Sequence, residues 1–531
     1  GLPMFALCAL LLRRGNHFVA AVLLSAVAAG AYALLSGFAV PARRATLMLM
    51  LGATALLLRR RMDPAGILAL TAALVFVTDP VATMRPGFHL SFAAVILLLW
   101  LAKRRAPVGR EWHARLASLP RQLAVMQVFL LFGLMPATAL LFGRIALLAT
   151  PVNLIAVPLF SMLTVPLTLA GLVLGSVDVE LRLVALRLAT HSVDWLLALV
   201  ELLARLPFAD TPVRDISGFA WLLTGLPLVW VLLPPGWPGR WLAPIAVATL
   251  LSWRPSGPPV ACFDATVLDV GQGLATVIRT RDEALVYDTG LRYRGGGSVA
   301  ERIILPYLQN QGIEHVDYLL VSHNDLDHSG GAGVLSRATS VGRVLLGEPV
   351  NDVAAPAVQC LAGQRWSADG VDFEVLHPDI GDLRPGNDVS CVLRVSAGRY
   401  RMLLTGDIEA PAEQSLLKRP QQVAADIIVV PHHGSATSSS PPFVQAVQAD
   451  LALVSAGFGN RWGFPKPAVV ARWQASGAKV LTTANAGALS LRVCAESGMK
   501  NLRQERERRQ TFWRDGTAPA PEKGGDGGRI L

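Results

Sequence analysis

The sequence predicts a polytopic α-helical membrane domain followed by a soluble α/β domain in which two packed sheets carry helices on their outer faces. Three observations lead there. Apolar runs of spanning or near-spanning length fill the first 255 of 531 residues. Short β-rich runs closed by Gly or Asp take over from Ala261. Finally, 21 Lys/Arg against 9 Asp/Glu up to residue 255 give way to 19 against 24 over 256–498. The chain thus divides into a membrane domain (1–255), a soluble domain (256–498) and a charged tail (499–531). The net charge of +10 belongs mainly to the membrane domain, where Arg-rich loops are expected from the positive-inside rule. It is therefore weak evidence for a nucleic-acid surface.

The apolar runs lie near 18–38, 45–58, 65–78, 87–102, 123–142, 145–174, 183–204, 219–234 and 241–253. Crossing a bilayer takes about 20 mostly apolar residues, and several runs are shorter, so eight or nine helices are expected, some kinked or partial. Pro151, Pro158 and Pro166 share one run, and each removes a backbone donor that lipid cannot replace. Two readings follow, a broken helix lining a cavity or a kinked span. His191 and Asp194, three apart on one helical face, mark either a polar pathway or an interfacial helix with Arg182, Arg187 and Arg205 at the headgroups. The chain opens at Gly1 and is read as lacking its own amino terminus. Its five cysteines show no paired spacing and read mostly as packing residues.

In the soluble domain, strands are expected at 265–270, 284–287, 318–322, 341–346, 373–376, 391–395, 400–404, 427–430, 451–455 and 479–481. Helices are expected at 298–311, 331–336, 411–417, 441–447 and 467–476. Ten strands exceed one open parallel sheet, which favours two packed sheets. Polar residues cluster where strands stop. His323, Asp325, Asp327 and His328 follow one strand, Asp407 follows Thr405-Gly406 after another, and His432-His433-Gly434-Ser435 follow a third. Imidazole with carboxylate suits Zn²⁺ or Mn²⁺, and without a thiolate a structural cysteine-zinc site is disfavoured. Two ions about 3.5–4 Å apart can share a bridging carboxylate, activate water and clamp both oxygens of a phosphoryl or carbonyl displacement. Asp407 is placed to bridge them.

Several motifs occur in one order: Asp269-Val270-Gly271-Gln272-Gly273, Tyr287-Asp288-Thr289-Gly290, the H-x-D-x-D-H turn with Gly330-Gly331, Thr405-Gly406-Asp407, Pro431-His432-His433-Gly434-Ser435 and Asn460-Arg461-Trp462-Gly463-Phe464-Pro465. The set closely resembles the metallo-β-lactamase domain of the ComEC family, the inner-membrane DNA channels of natural transformation. Leu90-Ser91-Phe92 and Asn153-Leu154-Ile155-Ala156-Val157-Pro158 resemble that family's competence domain.

The resemblance implies an αββα metallo-β-lactamase-like sandwich holding two divalent ions, Mn²⁺ or Zn²⁺. His323 and Asp325 would bind the first ion, Asp327 and His328 the second, Asp407 would bridge, and His432 would be the late ligand, with His433 competing for that role. Asp327, Asp407 and His323 would carry catalysis. Asp288 would orient the site by hydrogen bonds. Asn387 and Ser390 fall where relatives place a further histidine and are expected on the substrate side, with His433, Ser435, Asn460 and Arg461, the last toward a phosphate. Leu274, Phe464 and Pro3 stand where the family commonly has Asp, His and His. The first two would weaken metal or substrate contacts. The third, with the missing start, implies that the family's amino-terminal segments are absent.

The function implied is import of single-stranded DNA across the bacterial inner membrane, with a nuclease domain on the periplasmic face degrading the other strand. The implied partners are single- and double-stranded DNA, membrane lipid, other competence proteins and, in a homo-oligomer, further copies. Two alternatives stand: a membrane-tethered metallohydrolase of a small ester or phosphodiester without DNA transport, and a channel with a catalytically idle hydrolase domain. The tail's first part (503–509) is expected to be a frayed charged helix and the rest disordered.

Overall fold

The computed structural model describes residues 17–37, 40–58, 63–104, 112–176, 178–206, 209, 211–213, 225, 230, 238–239, 241–253, 255–293, 295–382 and 385–508. The chain divides into two compact units, Gly1–Trp253 and Arg254–Leu531. Pro3, most of the run at 219–234 and the tail beyond residue 508 lie outside the described residues.

In the first unit, four described helices are long and apolar enough to cross a membrane: Pro86–Lys103, Pro120–Phe142, Ala149–Leu174 and Val179–Ala204. Shorter apolar helices occupy Val19–Leu34 and Pro64–Thr78, and Val40–Leu57 and Leu242–Ser252 are also helical. The three-proline segment forms one continuous helix. A π-helical turn, Phe160–Thr164, sits between Pro158 and Pro166, and widened turns of this kind accommodate backbone groups that lose regular partners. The Ser161 hydroxyl donates to the Val157 carbonyl at 2.7 Å, and Thr164 meets Ser192 of the Val179–Ala204 helix at 2.8 Å. His191 and Asp194 lie 3.9 Å apart on that helix with exposed side chains. Strands β1 (Arg144–Ile145) and β2 (Thr211–Pro212) pair antiparallel.

The second unit holds two sheets. The first contains β3 (Cys262–Val267), β4 (Thr276–Arg279), β5 (Ala284–Tyr287), β6 (His315–Val321), β7 (Ser340–Leu346) and β8 (Ala357–Gln359). The other contains β9 (Arg365–Ala368), β10 (Val371–His377), β11 (Val392–Ala397), β12 (Tyr400–Leu404), β13 (Ile427–Val429), β14 (Leu451–Val454) and β15 (Lys479–Thr482). The chain then returns to the first sheet through β16 (Leu489–Cys494) and β17 (Gly498–Gln504), giving the order 17-16-3-4-5-6-7-8 against 15-14-13-12-11-10-9. All ten expected strands form. Of the additional ones, β4, β8 and β9 are short and β17 carries mixed polar residues that weaken the alternation signal, whereas β16 alternates regularly (Leu489-Ser490-Leu491-Arg492-Val493) and was legible but missed.

Three apolar clusters fill three interlayer spaces, as an αββα sandwich requires. Phe263, Leu320, Phe373, Leu393, Leu404 and Leu453 lie between the sheets. Leu403, Ile428, Phe443 and Trp473 pack under the helices of one sheet, and Val286, Ile304, Leu319 and Leu335 under those of the other. Both sheets have parallel halves, β5 to β8 and β12 to β15. The carboxyl ends of β5, β6, β12, β13 and β14 carry the polar loops.

Two expectations are corrected. Cysteines read as packing residues form two disulfides, Cys262–Cys494 and Cys360–Cys391, spanning 232 and 31 residues. The first joins facing positions of β3 and β16, a pairing that local spacing cannot reveal. The start of the expected tail helix instead completes β17, followed by a single turn at Glu505–Arg508. Arg506 pairs with Asp269 and ties this end to the loop after β3.

Candidate metal centre

The loop after β6 turns sharply. Asp325 caps the short helix Leu326–Ser329 through its backbone carbonyl, which accepts from the His328 and Ser329 amides. The Asp325 carboxylate makes no cap bond and lies 3.6 Å from His323 Nε2. His323 and His328 are fully buried. Asp288, at the end of β5, sits in the left-handed region (φ 61°), which costs a non-glycine residue about 1–2 kcal/mol. There its buried carboxylate accepts from the Ser322 amide at 2.7 Å and the Ser322 hydroxyl at 2.8 Å. It also lies 2.8 Å from His328 Nδ1. A proton held on Nδ1 leaves Nε2 as the free lone pair, the arrangement that orients ligating imidazoles.

The loops from the second sheet close the pocket. Asp407 follows Gly406 (φ 55°), where a Cβ would stand 2.8 Å from Ser322 Cβ, so only glycine lets the two loops meet. The Asp407 amide donates to Ser390 Oγ at 3.1 Å. His432 and His433 both adopt left-handed backbone (φ 49° and 54°), and this turns the two rings in different directions. His433 Nδ1 donates to the Ser455 carbonyl at 2.9 Å, which leaves its Nε2 facing inward. That atom lies 3.3 Å from His328 Nε2, 3.5 Å from Asp407 Oδ2 and 3.6 Å from Asp327 Oδ2.

Two three-residue groups with convergent ligand atoms result, His323/His328/Asp407 and Asp327/His328/His433. His328 Nε2 also approaches Asp407 Oδ1 at 3.2 Å. His323 Nε2 and Asp407 Oδ1 are buried and form no hydrogen bond. Unpaired buried polar atoms of this kind call for an ion or water. Two inward imidazole lone pairs 3.3 Å apart repel one another unless a positive charge comes between them. The donor set therefore fits a divalent cation. Burial alone would raise the Asp407 carboxyl, but His328, His433 and His323 hold it well below the usual carboxylate range. Burial opposes charge on His328 and His433, yet Asp407, with Asp288 and Asp327 in support, raises both imidazoles.

The structure distributes the expected site residues unevenly. His323, Asp327, His328 and Asp407 meet in the pocket, while Asp325 sits at its edge with its side chain 64% exposed. His432, expected as the late ligand, stands outside both groups. Its Nε2 is 3.9 Å from Asp407, while its Nδ1 is 3.0 Å from Glu409 Oε1. The competing choice, His433, supplies the convergent nitrogen, because the left-handed turn sends consecutive rings apart. Ser390 Oγ lies 3.3 Å from His323 Nδ1. Asn387 donates to Glu409 at 3.2 Å, and Ser435 meets Thr437 at 3.0 Å. Asn460, expected on the substrate side, instead clamps its own loop, bonding Gly457 O and the Phe464 amide and carbonyl. Arg461 lies over the Trp462 ring, 4.2 Å from its centroid. Leu274 is buried between the sheets, and Phe464 lies beside His432 and His433, centroids 5.9 and 6.5 Å away.

Sequence reasoning missed Ser322, Glu409, Thr437 and Ser455. Glu409 accepts from Asn387 and from Thr437 (2.9 Å) and holds His432. Its place two residues after Asp407 is the one signal that pointed to it.

Fold and pocket together define a metallohydrolase-type domain joined to a polytopic membrane unit. Residues 1–238 match the competence protein family and residues 268–457 the metallo-beta-lactamase superfamily. The chain thus joins a competence-type unit to a metallo-beta-lactamase-type unit and is similar to competence proteins over most of its length. It is 34% identical to "Competence protein ComA" of Neisseria gonorrhoeae over 88% of this chain and 64% of that protein. It is 31% identical to "Recombination protein 2" of Haemophilus influenzae over 86% and 61%. The chain thus spans under two thirds of the length of these relatives. Among solved structures, the metallo-beta-lactamase fold protein YhfI of Bacillus subtilis is 14% identical with a TM-score of 0.30, covering 42% of this chain and 95% of that one.

Proposed function

We propose that this chain is an inner-membrane DNA-uptake channel of natural transformation, which passes a single strand while its second unit hydrolyses phosphodiester bonds of the strand left behind. The competence names of the matched family and of the gonococcal relative support the uptake role. The observation that carries the hydrolytic reading is the pair of convergent ligand groups containing two buried, unbonded ligand atoms.

In this reading His323, Asp325, Asp327, His328, Asp407 and His433 hold two divalent ions, Mn²⁺ or Zn²⁺, which when bound supply Lewis acidity and lower the pKa of water. Asp407, whose carboxylate oxygens approach both His328 and His433, would be shared between the two groups. Asp288 and the Ser455 carbonyl hold the protons on His328 and His433 away from the ions. Ser322 and Ser390 fix His323. Glu409, Asn387 and Thr437 hold His432 at the rim, where its Nε2 faces the substrate side. The two disulfides support an oxidising, periplasmic side for this unit, where a discarded strand would be met.

The test uses the full chain in lipid nanodiscs. Metal content and cleavage of labelled DNA with Mn²⁺ or Zn²⁺ are expected to disappear together in Asp407→Ala while the fold persists. A wild-type chain that binds no metal and cuts neither DNA nor small diesters overturns the hydrolytic reading.

A further inference from the structure

An exposed aromatic loop leads outward from the metal centre. After β14 the chain runs Phe458-Gly459-Asn460-Arg461-Trp462-Gly463-Phe464-Pro465-Lys466. Phe458 is 75% exposed and Trp462 43% exposed, a cluster of apolar surface that folding does not use. The rings are ordered in space. Phe464 lies near parallel to His433, centroids 6.5 Å apart at 28°, and Trp462 lies near parallel to Phe464, 6.5 Å at 13°. Cations flank the series, with Arg461 4.2 Å over Trp462 and Lys466 Nζ 5.4 Å from the Phe464 centroid.

The loop is held in shape. Asn460 bonds backbone groups at both its ends, and Lys466 donates to the Trp462 carbonyl at 2.7 Å. Its rings are thus presented at little cost in ordering.

We infer that loop 458–466 is a stacking platform for the bases of a single strand, with the exposed Trp462 taking a base face, the half-buried Phe464 backing it and Arg461 meeting a phosphate beside it. Exposed aromatics interleaved with cations fit unpaired nucleotides, whose faces are free, whereas a duplex hides its bases. The rings run from Trp462 through Phe464 to His433, so a base held on Trp462 lies in line with the metal centre. The inference rests on the phosphodiesterase reading and names the residues through which that site would hold its strand.

The test measures binding by the full chain in nanodiscs, with chelator present so that nothing is cut and a catalytically idle centre still reports on the platform. The probes are a single-stranded oligothymidylate and an abasic oligomer of equal length. Wild type is expected to prefer the oligothymidylate. Trp462→Ala should weaken that binding on the order of tenfold and abolish the preference, and Trp462→Phe should retain it. Arg461→Ala should weaken both probes alike with a shallower salt dependence. If Trp462→Ala keeps the preference, or if wild type shows none, the platform is refuted, while the hydrolytic reading is judged by its own metal and cleavage assays. If both probes bind wild type and Trp462→Ala alike and a fluorophore on Trp462→Cys is quenched by nitroxide lipid, the loop is a bilayer anchor and the inference falls.

Discussion

At the residue scale, the two consecutive histidines are told apart by what holds their other nitrogen. His433 Nδ1 is spent on the Ser455 carbonyl and His432 Nδ1 on Glu409, and only His433 Nε2 converges with Asp327 and His328. His433→Ala should therefore strip metal from the site and His432→Ala should not, as measured by metal content after dialysis. Asp288→Asn removes the carboxylate that orients His328 while leaving every ligand in place, and metal affinity should fall by roughly 10- to 100-fold, read by titration with a competing chelator. Proton linkage follows from the same groups. Asp407 raises His328 and His433 above the ordinary imidazole value in the metal-free site, and a ligating imidazole must be neutral. Metal uptake near neutral pH should thus release protons, and affinity should fall as pH drops through that raised range; a buffer-dependent heat of binding checks it.

At the scale of elements, the centre depends on loops from two sheets approaching more closely than side chains allow. Gly406 is the contact point, with left-handed backbone and Ser322 Cβ 2.8 Å from where its own Cβ would be. Gly406→Ala combines that clash with an unfavourable φ, and is expected to destabilise the second unit by about 1–3 kcal/mol and to lower metal affinity, seen as a reduced thermal midpoint and earlier metal loss. Most elements were legible. The continuous apolar runs of β5, β6, β12 and β13 stood out, because central strands are buried on both faces. Strands such as β9 (Arg365–Ala368) and β17 (Gly498–Gln504) were not, because edge positions tolerate polar residues that erase the alternation. The three-proline segment shows the same limit. The sequence located disturbed hydrogen bonding at Pro151, Pro158 and Pro166, but the segment stays helical throughout, with a single π turn between the last two.

At the scale of the whole molecule, the first strand of the second unit, β3, lies beside its penultimate strand, β16, in the first sheet, and Cys262–Cys494 locks the two together. Closing a loop of this length stabilises by about 2–5 kcal/mol, so Cys262→Ser should lower the unfolding midpoint measurably in guanidinium. In native membranes Cys262, Cys494, Cys360 and Cys391 should resist alkylation until reduced; ready labelling without reductant would count against the oxidising side proposed for this unit.

The sequence by itself determined the two-unit organisation, the two-sheet class and the stretches whose His and Asp side chains converge. Each is written locally, in hydropathy, in alternation, or in a run of donors directly after a strand. Tertiary structure alone decided that His433 rather than His432 converges with the other ligands, that Asp288 orients His328, that Glu409 and Ser455 serve the site, and that four cysteines pair. Those outcomes depend on backbone angles and on contacts between residues tens to hundreds of positions apart, and neither leaves a trace in local spacing.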